Sequence, residues 1–209
     1  MTMDASNPWA DRDVFEDEMF SDLEWPNADF SGKEFIRCTF RKALLTETHW
    51  SGVRLDDCTF DACDLTRMKP AKMSALGVAF VGCRLLGVDW TGIRPNPTMT
   101  FEGCNLQYAS FVEVNLTKTR LTRCRLVEVN FIESRLVEVD FAGSDLRGSR
   151  FEDCDLRDAD FSESQGAVVD PAKNRVKGAR ISVAMAVLVA MSAGMRVAGF
   201  DRDPEEPPG

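Results

Sequence analysis

A large apolar residue returns at every fifth position through most of this chain. The series runs Phe20, Trp25, Phe30, Phe35, Phe40, Leu45, Trp50, Leu55, Phe60 and Leu65, then, after an interruption, Phe80, Leu85 and Trp90. From Phe101 it resumes one residue out of step, through Leu106, Phe111, Leu116, Leu121, Leu126, Phe131, Leu136, Phe141, Leu146, Phe151 and Leu156 to Phe161. A period of five fits neither a helix, at about 3.6, nor a strand, at about 2. It fits a chain that turns a corner after every such unit and sends one large side chain inward from each side. That is a solenoid.

The residue two before each large one is nearly always small, as in Cys38, Ala43, Cys63, Val88, Ala109, Ser134 and Cys154. Between the two stands a polar residue, often Asp or Asn, as at Asp64, Asp89, Asn105, Asn130 and Asp155. One large and one small inward position per side would fill a narrow interior. A second period of twenty residues overlies the first: Phe20, Phe40, Phe60, Phe80 and Phe101 form one column, Leu65, Leu85, Leu106 and Leu126 another. Four sides then make one coil, and like stacks on like, with aromatic contacts added to area burial. About seven coils at strand spacing predict a rod of roughly 34 Å.

The net charge is −9, unevenly spread: residues 1–34 hold ten acids against Arg12 and Lys33. Acids return at Glu113, Asp153 and Asp155, whereas residues 35–100 are mildly basic. Such a rod repels nucleic acid and suits a basic groove, or is charged simply for solubility. No apolar run approaches the ~20 residues that span a membrane. The acidic start lacks a signal peptide's pattern, which predicts cytoplasmic residence. Seven cysteines fall in inward columns, Cys63, Cys83, Cys104 and Cys124 in one of them, and read as small hydrophobes with no metal site. The single histidine, His49, sits at an outward position. A filled interior and no converging acid, base and nucleophile predict neither catalysis nor a cofactor.

Three segments break the pattern. Residues 1–18 read as an N-terminal arm ahead of a β-helix over 19–165. Residues 66–77 put Pro70 where an aromatic is expected, which predicts an irregular side. Residues 91–100 carry one extra residue and Pro95 and Pro97, which predicts a bulge beside Trp90. Irregular segments on rigid scaffolds are favoured places for function. Trp90, Arg94, Pro95, Asn96 and Pro97 are therefore candidate partner contacts, with Glu113, Asp153 and Asp155 as an acidic face. Over 166–200 the sequence predicts a turn at Asp170-Pro171, a strand, and a helix from about Val183 to Ala193, capped by Ser182. Its apolar residues either cap the last coil or, through Val187, Leu188, Met191 and Met195, join a second copy. Residues 201–209 read as an acidic, proline-rich disordered tail.

The repeats resemble those of the pentapeptide-repeat proteins, whose signature is A(D/N)Lxx or A(D/N)Fxx. The resemblance implies a right-handed quadrilateral β-helix. The stretch from Val169 through Asp170-Pro171, Asn174 and Lys177-Gly178-Ala179-Arg180 to Ser182 is similar to the tail of the topoisomerase-protecting branch, which includes quinolone-, albicidin- and microcin-resistance factors. Phe80-Val81-Gly82-Cys83-Arg84-Leu85-Leu86-Gly87-Val88-Asp89-Trp90 looks like the albicidin-resistance type. Large loops of some quinolone-resistance members are absent, and Ala184-Met185 replaces a frequent Pro-Glu pair. The resemblance implies a homodimeric DNA mimic that binds DNA gyrase and protects it from a poison such as albicidin or cystobactamid. A scaffold or interaction protein unrelated to topoisomerases is the alternative.

Overall fold

The computed structural model describes residues 12–200, so most of the expected arm and the tail at 201–209 lie outside the described residues. In chain order the strands are β1 (Val14–Glu16), β2 (Met19–Ser21), β3 (Glu34–Ile36), β4 (Thr39–Arg41), β5 (Arg54–Asp56), β6 (Thr59–Asp61), β7 (Ser74–Leu76), β8 (Val78–Val81), β9 (Met99–Glu102), β10 (Ser110–Val112), β11 (Arg120–Thr122), β12 (Asn130–Ile132), β13 (Arg150–Glu152), β14 (Asp160–Phe161) and β15 (Arg180–Ile181). One helix follows among the described residues, α1 (Val183–Ser192). The strands stack in parallel, as in the order β1-β3-β5-β7 on one side and β2-β4-β6-β8-β9-β11 on the next. Register advances by one coil each time: Phe20 lies on Phe40, Phe40 on Phe60, Phe60 on Phe80 and Phe80 on Phe101. The result is a parallel β-solenoid of about eight turns.

Each corner is made by one residue with left-handed backbone, two positions after the large one. Many are not glycine: Asp57, Arg67, Lys72, Tyr108, Glu113, Glu133 and Asp153 all have φ between 50° and 62°. Such a conformation costs roughly 1 kcal/mol or more per residue, offset here by the ladder that every corner extends. The corner side chain points away from the core, so corners are where the rod displays charge. Gly77 shows a second constraint, because a Cβ there would meet Asp57 Oδ1 at 2.2 Å.

Inside, the columns stack as rings. Phe111 lies 5.3 Å from Phe131 and Phe131 5.0 Å from Phe151, with interplanar angles of 6° and 8°. The small column does more than leave room. Cys58, Cys83, Cys104 and Cys154 each donate a thiol hydrogen bond to a carbonyl one coil back, on Phe35, Phe60, Phe80 and Phe131. Ser134 and Ser144 do the same to Phe111 and Leu121, and also accept from Val114 N and Cys124 N. Cys and Ser are thus chosen as short donors. Burial pushes the Cys58 thiol up to about 11, so it stays protonated at neutral pH.

Three boundaries differ from the sequence expectation. The ladder starts before residue 19, since Val14–Glu16 pairs with β3 and Phe15 stacks 5.0 Å from Phe35. Phe15 stands one coil ahead of Phe35, but acidic neighbours hide the repeat. The ladder also outlasts Phe161, because Arg175 bridges Asp155 and β15 pairs with β14. These additions make about eight turns rather than seven. The side around Pro70 is regular, not irregular. Pro70 and Ala75 are small where large residues are expected, but Met68 and Met73 are long at the small positions and fill the same volume, at 3% and 0% exposure.

Candidate partner-binding surface

The extra residue at 91–100 is absorbed in a tight one-residue bulge. Val78 pairs with Met99 and Phe80 with Phe101, a step of twenty-one where the others are twenty. Arg94 N donates to Met73 O at 2.8 Å and Thr98 N to Ala75 O at 2.9 Å, so the ladder closes on either side. Asn96 turns the chain at φ 58°. Its Oδ1 accepts from Asn115 Nδ2 at 2.9 Å, which ties the bulge to the following coil. Arg94 Nε donates to Lys72 O at 3.1 Å. Arg94, Pro95 and Asn96 are exposed.

Two expected contacts are not on this surface. Trp90 is wholly buried, stacked 5.8 Å from Phe111, and cannot touch a partner. It adjoins the insertion in sequence, but its place is the aromatic column. Pro97, within the same segment, is also buried. Trp90 Nε1 has no hydrogen-bond partner, in contrast to Trp50 Nε1, which donates to Thr48 Oγ1 at 2.8 Å.

Glu113 and Asp153 stand at corners of the same edge, with Glu133 between them, each at left-handed φ and exposed. Glu113 N reaches Ile132 O, Glu133 N reaches Glu152 O and Asp153 N reaches Lys173 O, so the three lie on successive coils. None has a cation within 4.0 Å among the described residues. Adding one coil to Glu113 locates Glu133 in the sequence, so the twenty-residue period could have found it. Asp155 is different. Arg157 binds its Oδ1 and Oδ2 at 2.7 Å each, and Arg175 lies 3.3 Å from Oδ2. The Arg157 hydrogen bonds hold its carboxyl below the usual carboxylate range. Its charge is neutralised locally and adds little to an acidic face.

At the end of the rod, Asn174 closes the last coil: its Oδ1 accepts from Cys154 N and its Nδ2 donates to Phe151 O. Ser182 Oγ accepts from Met185 N at 3.1 Å and caps α1. Met185 is buried and Val189 packs against the core, one helical turn apart. Leu188, Met191 and Met195 keep 40%, 49% and 62% of their surface. The spacing of Leu188 and Met191 puts them on one side of the helix, and Met195 follows just beyond its end; Val187 is half-buried beside them. Between α1 and the last coil runs an open groove of 640 Å³, lined in part by Phe151, Val168, Ile181 and Met195.

Comparison with known proteins bears on the whole rod. The pentapeptide repeat region profile matches residues 97–167, and a profile of nine pentapeptide repeats matches residues 26–69. A quinolone resistance pentapeptide repeat protein, QnrB96 of Scandinavium goeteborgense, is 31% identical over 116 residues. That match covers 51% of this chain and 54% of the relative, about half the length of each. A trypsin-treated variant of QnrB1, a plasmid-mediated fluoroquinolone resistance protein, superimposes with TM-score 0.65 at 25% identity over 88% of this chain and 89% of its own. A second trypsin-treated variant gives 0.61 at 20% identity, over 88% and 99%, and shares the fold. The stacked five-residue sides, the inward Cys and Ser ladder and these matches together place the chain in the pentapeptide-repeat family.

Proposed function

We propose that this protein binds DNA gyrase, a type IIA topoisomerase, as a rod that imitates duplex DNA, and shields the enzyme from a poison. The observation that carries the reading is the edge formed by Glu113, Glu133 and Asp153: carboxylates on consecutive coils with no cation beside them. Coil spacing of roughly 4.8 Å gives a regular row of negative charge, sparser than the ~3.4 Å charge repeat of one DNA strand but running along the rod as phosphates run along a duplex. The bulge at Arg94, Pro95 and Asn96 adjoins that edge through the Asn96–Asn115 bond and supplies shape that a plain rod lacks. The poison is of the albicidin or cystobactamid type, supported by the resemblance at residues 80–90. A quinolone is the second reading, favoured by the quinolone-resistance relative at 31% identity.

The rod acts as a two-fold dimer. Leu188 and Met191 on α1, with Met195 just past its end, form an exposed apolar patch, and such patches mark interfaces. Light scattering at micromolar concentration tests this: the wild type runs as a dimer, and truncation after Ser182 gives a monomer. A monomeric wild type contradicts it.

Binding is tested by titrating purified gyrase with the protein at rising salt, with and without duplex DNA. Competition with DNA and weakening affinity with salt are expected. Salt-independent binding, or binding that leaves DNA in place, contradicts the DNA-like edge.

A further inference from the structure

The acidic edge leaves the cations beside it without a purpose. Most arginines on this rod pair with carboxylates, as in Arg41–Asp61, Arg84–Asp64 and Arg147–Asp145. Among the described residues, Lys69, Lys72 and Arg94 have no carboxylate within 4.0 Å. They lie together. The Arg94 Nε bond to Lys72 O holds its guanidinium beside Lys72. Lys69 Nζ lies 3.1 Å from His49 Nε2, one coil back. Arg67 and Lys69 line one shallow concavity of 410 Å³ with Thr91 and Asp89. Asp89 Oδ1 already accepts from Thr91 N at 2.9 Å.

The placement of this cluster is informative. Lys72, Gly92, Glu113, Glu133 and Asp153 are successive corners of one edge. From Lys72 to Asp153 that edge reads cationic and then anionic, and Lys173 follows on the next coil. Duplex DNA carries one sign throughout. A purely anionic mimic gains nothing from these cations, since a basic groove repels them. We propose that Lys69, Lys72 and Arg94 dock a carboxylate-rich loop of the same partner, and so fix the register and polarity of the rod in the groove. The inference rests on the topoisomerase reading of the acidic edge. A uniform polyanion slides along a basic surface without changing its energy. A rod with both signs has one favoured register, because any shift sets like charges against each other. Nucleic acid is the poorer occupant: Asp29 and Asp89 on the same side, and Glu113 beyond, repel an extended chain of phosphates.

The experiment compares gyrase holoenzyme binding of the wild type with Lys72→Gln, Arg94→Gln and the double variant. Lys72 makes no side-chain hydrogen bond among the described residues, so its variant leaves the scaffold intact, which a melting curve checks. Docking predicts weaker binding, by about tenfold for each cation removed. Unchanged or tighter binding of Lys72→Gln overturns the proposal, and tighter binding is what a purely anionic mimic requires. Failure of the wild type to bind gyrase instead sinks the topoisomerase reading. The docking site is then judged by NMR titration with a peptide of alternating Glu and Asp. Amide shifts confined to Lys69, Lys72 and Arg94 support it. No shifts, shifts spread equally to Lys42 and Lys177, or an equal response to duplex DNA overturn it.

Discussion

Two buried tryptophans in one column differ by a single hydrogen bond, and that difference gives a two-way test of the packing. Trp50 Nε1 donates to Thr48 Oγ1 at 2.8 Å, and Thr48 Oγ1 donates on to Leu45 O at 2.6 Å. Two coils on, Trp90 occupies the equivalent site, but Val88 stands where Thr48 would be, and Trp90 Nε1 is unpaired. Val and Thr have nearly the same shape, so exchanging them changes hydrogen bonding without opening a cavity. Thr48→Val orphans a buried indole N–H and should cost about 1–3 kcal/mol. Val88→Thr gives Trp90 an acceptor, with Leu85 O placed to receive the new hydroxyl proton. It should stabilise by about 0.5–1.5 kcal/mol. At this chain length each kcal/mol moves Tm by roughly 2–4 °C. Thermal unfolding followed by circular dichroism would show one variant below the wild type and one above. A Thr48→Val protein that melts with the wild type, or a Val88→Thr protein that melts below it, refutes the reasoning.

Other expectations follow from the same structure. Phe131→Ala removes a ring stacked on both sides and should cost about 3–5 kcal/mol by denaturant titration, because the stiff ladder cannot collapse into the cavity. Leu188→Asp should give monomers by light scattering, since Leu188 keeps 40% of its surface exposed in the single chain and a buried charge would oppose association. Asp155→Asn should lower stability above about pH 4 and lose its effect in acid. The Arg157 hydrogen bonds depress the folded pKa below 3.8, so their contribution is present above that value and vanishes as pH falls through the depressed one. A wild-type–variant difference that grows toward acid would reverse that sign.

The solenoid was legible because its period is long, regular and incompatible with helix or strand. Column membership followed by counting, and α1 with its Ser182 cap was readable from capping chemistry. Counting by twenty also reaches Phe15 and Glu133, although their polar neighbours mask the period. Pro70 was misread because exchange of large and small positions with Met68 and Met73 is a volume relation between neighbours, invisible to a residue-type pattern. Trp90 was misread for a related reason: lying next to an irregular segment says nothing about which way a side chain points. Asp155 has the same composition signal as Asp153. Only geometry shows that two arginines neutralise it, while Asp153 stands at a corner without a partner.

The central claim is that the rod protects gyrase without altering the poison. Gyrase supercoiling, measured with albicidin, cystobactamid or a fluoroquinolone present and with the protein titrated in, tests it most directly when the drug is recovered and analysed afterwards. The account predicts restored supercoiling with intact drug, and loss of rescue in a Glu113→Lys, Glu133→Lys, Asp153→Lys variant that melts as the wild type does. Rescue accompanied by chemically changed drug, or full rescue by the charge-reversed rod, would contradict it.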